Sequence, residues 1–244
     1  MSIQIQERAV ERISLLRQPE PPPLFAGDRL SRAEFERRYH AHPDLKKAEL
    51  IEGIVYMPSP VKYKRHGSPH LALGGWVTTY LAATPGVDGG DNATVRLDNQ
   101  NEPQPDILLR IDRALGGHSF VVQDDDYLEG APELVIEIAA TSASYDMHDK
   151  KRVYARNGVC EYVVALTYEQ KVCWFILREG EYAELLPDAD GILRSEVFPG
   201  LWLQPNALWQ NDLAGLLAVL QQGLAAPEHA AFVARLNAKV INRA

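Results

Sequence analysis

The segment from Leu134 to Ala139, with the sequence LVIEIA, is the feature that most constrains the fold of this chain. It is a short, almost continuous apolar run, which is typical of a central strand that is buried on both faces of a sheet. A helical pattern from about Asp146 to Asn157, ended by Gly158, separates it from a β-rich run at Glu161 to Ala165. This β-α-β order predicts an α/β domain in which a crossover helix packs on a mixed sheet.

Further patterns predict the elements around this unit. Ser31 and Glu34 have the spacing of a capping box and predict a helix through roughly Tyr39. Glu52-Gly53, within Ala48 to Met57, is a turn signal between two apolar runs and predicts a hairpin. The remaining predictions are a helix at His66 to Ala83, strands at Asn92 to Leu97, Pro105 to Arg110 and around Val172 to Leu177, and helices at Asn206 to Gln222 and Glu228 to Lys239.

The two ends of the chain differ from its middle. The first 18 or so residues have a short helical pattern, and the prolines from Pro19 to Pro23 then favour an extended segment. We therefore predict an N-terminal arm and linker at 1–27, a main domain at 28–208 and a C-terminal helical extension at 209–244. An apolar stripe on that extension, which includes Leu213 and Leu220, suggests contact with a second subunit and hence a homodimer.

Composition limits the classes of function. The 244 residues carry a formal charge of −8, which argues against a protein that coats nucleic acid through many Lys and Arg contacts. It leaves room for a nuclease, whose acids are neutralised by metal ions and whose basic surface is local. Two cysteines give no disulfide framework, and the sequence contains neither a signal-peptide pattern nor a membrane-length apolar run, so we expect a cytoplasmic protein.

Glu137 is the most informative candidate for a functional residue. An ionised carboxylate inside a buried apolar strand costs several kcal/mol unless it is paired, protonated or bound to metal. The structural alternative is that the side chain reaches a polar edge or an arginine.

Asp106 and Glu49 are candidate partners for Glu137. Asp106 follows Pro105 at the start of another predicted strand, and carboxylates at the ends of adjacent strands can chelate one hard divalent cation. A Pro-Asp pair also commonly marks a turn, and Glu49 in the first hairpin strand also fits a solvent-facing position.

Lys150 and Lys151 follow the Glu137 strand on a helix whose sheet-facing stripe contains Met147 and Tyr154. Either lysine has the length to reach inward and stabilise negative charge near a metal, or both extend along the surface. His66 is a weaker candidate for a phosphate contact or an acid/base group, with a capping or surface role as its alternative.

An ordered set of motifs resembles a known family. The chain is similar to the Uma-two family of bacterial endonucleases, within the PD-(D/E)xK, restriction-endonuclease-like superfamily, over roughly residues 28 to 208. The motifs are ELIEG at 49–53, Pro105-Asp106, PELVIEI at 132–138, Asp146 to Lys150, Tyr154-Ala155 and GVCEY at 158–162.

The resemblance implies an α/β fold with a central mixed sheet flanked by helices, and Mg²⁺-dependent hydrolysis of DNA, with Mn²⁺ as a substitute. It implies that Asp106, Glu137 and Glu49 bind the metal, with the Ile138 carbonyl as a further ligand, and that Lys150 is catalytic. The superfamily usually places its lysine two residues after the second acid, where this chain has Ala139. The spacing to Tyr154 favours Lys150 over Lys151. The alternative function is a catalytically inactive module of the same fold that binds nucleic acid or a protein partner.

Overall fold

A computed structural model describes residues 20–58 and 60–241 as a mixed α/β structure. The helices are α1 (Arg32–Ala41), α2 (Ser68–Ala83), α3 (Lys151–Asn157), α4 (Pro205–Trp209), α5 (Leu213–Leu224) and α6 (Pro227–Ile241). The strands are β1 (Glu49–Ile51), β2 (Ile54–Tyr56), β3 (Val87–Asp91), β4 (Val95–Arg96), β5 (Ile107–Ile111), β6 (Phe120–Val121), β7 (Leu128–Glu129), β8 (Leu134–Ala139), β9 (Glu161–Leu166), β10 (Lys171–Arg178), β11 (Glu181–Leu185), β12 (Leu193–Arg194) and β13 (Trp202–Leu203). None of the helices between residues 20 and 241 has the length and apolar character of a membrane-spanning segment.

Six strands form the central sheet, in the order β11-β10-β9-β8-β5-β3. β8 and β9 are parallel, and the other neighbouring pairs are antiparallel. The sheet is therefore mixed, and α3 lies in the crossover between its two parallel strands. This confirms the predicted fold class and the predicted β-α-β unit.

β8 is buried along its whole length, as its apolar sequence predicts. Leu134, Ile136 and Ile138 belong to the larger core, which α2, α5 and α6 cover. Val135 and Ala139 belong to a second core, which contains Tyr154 of α3. Because side chains alternate along a strand, Glu137 lies on this second face, among apolar neighbours.

The hairpin of β1 and β2 brings Glu49 to the second face of the sheet. Glu52 and Gly53 both have positive φ, at 51° and 73°, which is the backbone conformation of the tight hairpin turn that this dipeptide predicts. Leu50 exchanges two backbone hydrogen bonds with Glu102, and these fix the hairpin beside the chain that leads into β5. The helix predicted from Ser31 is also confirmed, since the Ser31 hydroxyl accepts a hydrogen bond from Glu34 N.

The predicted strand from Asn92 to Leu97 is wrong in its position. The sheet strand β3 precedes it, and the segment itself contributes only β4, which pairs with β7 in a small separate sheet. Gly89 explains the difference: a Cβ at this position would lie 3.0 Å from the Leu108 carbonyl oxygen, so the strand pairs closely only because the residue is glycine. The two consecutive glycines hide the strand from a periodicity argument.

Two predicted helices have different limits in the structure. The helix expected from His66 begins at Ser68, after a π-helical turn at Tyr63–Gly67 that contains His66. The single helix predicted from Asn206 to Gln222 is interrupted between α4 and α5. Asn211 there has a φ of 56°, and Asp212 caps α5 by accepting a hydrogen bond from Gly215 N.

The C-terminal helices pack on the main core. Leu216 and Leu220 of α5 and Phe232 and Leu236 of α6 are buried in the core that covers β8. Most of the apolar stripe that suggested a second subunit is thus used within the chain, and it gives no support to a homodimer. The division into arm, domain and extension stays a prediction, and residues 1–19 of the arm lie outside the described residues.

Glu102 is a buried acid beside the hairpin, 1% exposed. Within residues 20–58 and 60–241, neither of its carboxylate oxygens accepts a hydrogen bond. Burial raises the pKa of Glu102 to about 9, Glu36 adds to the rise, and Arg96 and Arg32 oppose it. The folded protein therefore holds this carboxyl neutral at pH 7.

We predict that Glu102 makes the protein less stable as pH rises. Between the ordinary value of 4.5 and about 9, the folded state retains a proton that the unfolded state releases, so stability falls by up to about 1.4 kcal/mol per pH unit across this window. In urea unfolding from pH 5 to pH 9, stability should fall with pH less steeply in Glu102→Gln than in the wild type, and the difference between the two slopes is the contribution of Glu102. The exposed Glu169→Gln is the control, and an unchanged slope in Glu102→Gln would contradict the prediction.

Candidate active site

The second face of the sheet opens into a cavity of about 1220 Å³ at the ends of β5 and β8. Its wall includes four buried acids, Glu49, Asp106, Glu137 and Asp146, and one buried lysine, Lys150. These residues come from β1, from the residue before β5, from β8 and from the helical turn before α3. The structure therefore brings together the four predicted site residues and adds Asp146 to them.

Lys150 lies at the centre of the acids, with its side chain only 4% exposed. Its Nζ is 2.8 Å from Glu49 Oε1, 2.9 Å from Glu137 Oε1 and 3.9 Å from Asp146 Oδ1. Asp146 and Lys150 lie on one face of the turn because they are four residues apart. A single ammonium group thus faces three carboxylates from three elements.

Neutral groups hold the two acids that touch Lys150. The Tyr154 hydroxyl donates to Glu137 Oε1 at 3.0 Å, and the Tyr154 ring packs on Tyr162 with ring centroids 5.0 Å apart. The backbone N–H of Gln104 donates to Glu49 Oε1 at 2.8 Å. Both carboxylates are therefore oriented before any ligand binds.

Asp106 lies beside Glu137 because β5 and β8 are neighbours in the sheet. Its Oδ2 accepts a hydrogen bond from Ile138 N at 2.8 Å and lies 3.2 Å from His66 Nε2. These contacts fix the carboxylate against the backbone of β8, one residue beyond Glu137.

The pKa values of the neighbouring acids Asp106 and Glu137 are shifted in opposite directions. Burial acts to raise the pKa of Asp106, but the contact with His66 and the Ile138 N–H outweigh it, so the pKa lies below its ordinary value. Burial raises the pKa of Glu137, and Lys150 only partly offsets this rise. Burial also raises the pKa of Asp146, to about 6. Of these three acids, Asp106 is therefore the one that stays ionised to the lowest pH.

Lys150 is held in its charged form. Burial alone lowers the pKa of an ammonium group, but Glu137, Glu49 and Asp146 raise the pKa of Lys150 well above its usual value. Lys151 instead places its Nζ 3.5 Å from the centre of the Phe175 ring on β10. Of the two lysines that the sequence indicates, the structure places Lys150 with the acids. Ala139, at the usual superfamily position, is buried in β8.

Three cavity residues were missed or undervalued in the sequence. Asp146 resembles a surface partner of a helical lysine, and only its burial distinguishes it. The capping or surface alternative for His66 is not what the structure shows, because its side chain is 18% exposed and its Nε2 lies 3.2 Å from Asp106 Oδ2. His70 is four residues further on, and its Nε2 lies 3.0 Å from Asp91 Oδ2. The spacing of the two histidines was the available signal.

The donor set fits a divalent cation. Four buried carboxylates and one buried lysine line the cavity, which leaves a formal excess of negative charge in a buried site. Within the described part of the chain, the hydrogen bonds to Glu137 reach Oε1 and those to Asp106 reach Oδ2. The other oxygen of each carboxylate remains available as a ligand, and hard cations prefer such oxygens.

Comparison with known proteins agrees with this architecture. A family model described as "Putative restriction endonuclease", Uma2, matches residues 32–206, well over half of the chain. The chain belongs to the Uma2 family. Its fold is also similar to a crystal structure from Anabaena variabilis ATCC 29413 described as "a putative nuclease belonging to DUF820", with a TM-score of 0.52 and 14% identity over 67% of this chain and 89% of that chain. No curated protein matches the chain.

The Uma2 match includes every acid of the cavity and Lys150. It begins at the first residue of α1 and ends within α4, so it covers the whole central sheet. The family identified from the sequence motifs is thus confirmed, and so is the nuclease-like fold.

We predict that removing Lys150 destabilises the protein strongly when metal is absent. Lys150→Met leaves Glu49, Glu137 and Asp146 buried without their cation, and breaking a buried ion pair from one side costs about 3–5 kcal/mol. Urea unfolding in EDTA measures the loss. Lys151→Met is the matched control and should cost less than about 1 kcal/mol. Equal losses in the two variants would contradict the placement of Lys150 at the centre of the site.

Proposed function

We propose that this protein is a metal-dependent endonuclease that hydrolyses DNA phosphodiester bonds. The observation that carries the proposal is the contact between Lys150 and Glu137, next to Asp106, in an acid-lined cavity. Asp106 precedes β5, Glu137 lies in the neighbouring strand β8, and Lys150 contacts Glu137. This combination of two acids and a lysine is the one expected of the superfamily. The match to the Uma2 family supports the same conclusion.

Asp106, Glu137 and Glu49 are the residues that would hold Mg²⁺, or Mn²⁺ in its place. They are oxygen donors from three elements, and Asp106 is ionised well below neutral pH. When bound, the ion supplies Lewis-acid activation of the scissile phosphate. This role needs charged carboxylates at a fixed position, which the backbone N–H groups of Ile138 and Gln104 provide.

Lys150 has two roles in this proposal. Its ammonium holds the Glu137 and Glu49 carboxylates apart in fixed orientations, through contacts of 2.9 and 2.8 Å. Its positive charge would also stabilise the negative charge that develops on a phosphate bound in the cavity, because a preorganised charge is effective in a buried site.

A basic segment at the rim of the cavity supports a nucleic-acid substrate. Lys62 lines the cavity, Tyr63, Lys64 and Arg65 follow it in the chain, and the Tyr63 side chain is 80% exposed. Arg65 lies 4.5 Å from the centre of the Tyr168 ring and donates to the Thr167 carbonyl at 3.1 Å, so the segment is tied to the end of β9. Cationic and aromatic side chains in alternation suit phosphate contacts and base stacking.

Cleavage should depend on Asp106 and Glu137. Plasmid DNA incubated with Mg²⁺ should be nicked by the wild type and not by Asp106→Asn or Glu137→Gln, whereas EDTA should stop the wild type. Both variants should fold, and removing a buried charge should leave stability equal or higher in Glu137→Gln. The exposed Asp124→Asn is the control. Normal cleavage by either site variant would exclude this site. Absence of cleavage by the wild type, with DNA binding retained, would favour the inactive binding module.

DNA affinity should depend on the basic rim. Lys62→Ala combined with Lys64→Ala should weaken binding of the Asp106→Asn protein to duplex or single-stranded DNA. The slope of log Kobs against log salt concentration should become shallower by the equivalent of about two phosphate contacts. The matched control is Lys171→Ala with Arg178→Ala, two exposed cations on β10. If both doubles behave alike, the rim does not bind the substrate.

A further inference from the structure

Two histidines extend the acidic cavity on the side of α2. His70 follows His66 by four positions across the junction of the π-helical turn and α2, and the centroids of the two rings are 5.4 Å apart. His66 Nε2 is 3.2 Å from Asp106 Oδ2, and His70 Nε2 is 3.0 Å from Asp91 Oδ2. One ligand atom from each of His66, His70 and Asp106 lies within 4.8 Å of the other two.

These distances are close to those of a metal site. In a tetrahedral site with bonds of about 2.0–2.1 Å, neighbouring ligand atoms are about 3.3 Å apart. The separation of 3.2 Å between His66 Nε2 and Asp106 Oδ2 already has this value. The limit of 4.8 Å on the distances among the three ligand atoms exceeds this spacing by about 1.5 Å, so the side chains must close by up to that amount to share one ion.

We propose that His66 Nε2, His70 Nε2 and the Asp106 carboxylate form a binding site for a divalent transition-metal ion, with Asp91 beside His70 as a further donor. Asp106 is shared with the oxygen-only site of Glu137 and Glu49. The inference rests on the proposed function for the use of this ion in DNA cleavage, but ion binding itself is independent of that function.

The chemistry of the donors sets the preferred metal class. Imidazole nitrogen binds Zn²⁺, Co²⁺ and Ni²⁺ well, whereas Mg²⁺ prefers oxygen ligands and retains its waters. Two nitrogens and one carboxylate therefore select a transition metal over Mg²⁺. Glu137 and Glu49, on the other side of Asp106, offer only oxygen ligands and therefore favour Mg²⁺. The cavity thus contains two subsites with different metal preferences.

The test uses Co²⁺ as the probe, in the full-length protein after treatment with EDTA and removal of the chelator. We expect calorimetry to show that one equivalent of Co²⁺ binds in the presence of excess Mg²⁺. The bound Co²⁺ should have a visible d–d absorption typical of nitrogen coordination. His70→Gln and His66→Gln should each weaken Co²⁺ binding at least about tenfold. His118→Gln, which changes a mostly exposed histidine remote from the cavity, is the matched control and should bind Co²⁺ like the wild type.

The proposal is overturned if the wild type binds no Co²⁺ in excess Mg²⁺, or if both cavity variants bind it with wild-type affinity. Should a variant fail to fold, histidine side-chain NMR of the wild type decides: Zn²⁺ must shift the Nε2 resonances of two of the seven histidines, and a spectrum without such shifts overturns the site. Histidine-dependent Co²⁺ binding without DNA cleavage by any metal would uphold this site and reject the proposed nuclease. Cleavage with Mg²⁺ and histidine-independent Co²⁺ binding would do the reverse.

Discussion

The ion pair between Lys150 and the carboxylates of Glu137 and Glu49 is the interaction on which the rest of this site depends. It joins three elements that are distant in the chain, the hairpin strand β1, the central strand β8 and the turn before α3. Removing these charges from water costs several kcal/mol for each ion, and their mutual attraction, together with the hydrogen bonds that the carboxylates accept, offsets this cost. Tyr154 and the Gln104 N–H supply the remaining hydrogen bonds.

One face of the sheet carries the large apolar core, and the other face carries the candidate active site. One face is covered by α2, α5 and α6 and consists of apolar side chains, including Trp76, Phe198 and Phe232. The other face carries the acids and has a smaller core. Because the large core stabilises the whole domain, the second face can contain several charged groups whose burial is unfavourable. β8 belongs to both faces, since its alternate side chains point to opposite sides.

Sequence reasoning predicted the parts of this structure that depend on local pattern and on a single buried charge. Glu137 was detectable because it interrupts an apolar run, and the hairpin because Glu52-Gly53 demands positive φ. β3 was missed because Gly89 serves close backbone approach, which leaves no side-chain pattern. The break at Asn211 depends on a left-handed residue and a cap that resemble ordinary helix residues.

His66 and Asp146 could not be placed in the site from the sequence, and the physical reason is the same for both. His66 lies in a π-helical turn, where the spacing differs from 3.6 residues per turn, so a helical wheel cannot show that it faces Asp106. Asp146 and Lys150 have the spacing of an exposed helical pair, and they are buried only because the hairpin covers them with Glu49. Contacts between distant elements decide both cases, and no local pattern encodes them.

The opposite shifts of Asp106 and Glu137 suggest how the site tolerates its charges before a cation arrives. Asp106 stays ionised because it accepts the Ile138 N–H and contacts His66, so it presents a fixed negative charge to an incoming ion. Glu137 is raised towards its neutral form by burial, although Lys150 opposes this. A bound divalent cation would lower the pKa of Glu137 again, because opposite charge favours the ionised form. In the proposed function, cation binding would therefore recruit Glu137 as a ligand, whereas Asp106 is already ionised before the cation binds. Two acids at neighbouring strands would thus take different parts in binding the same ion.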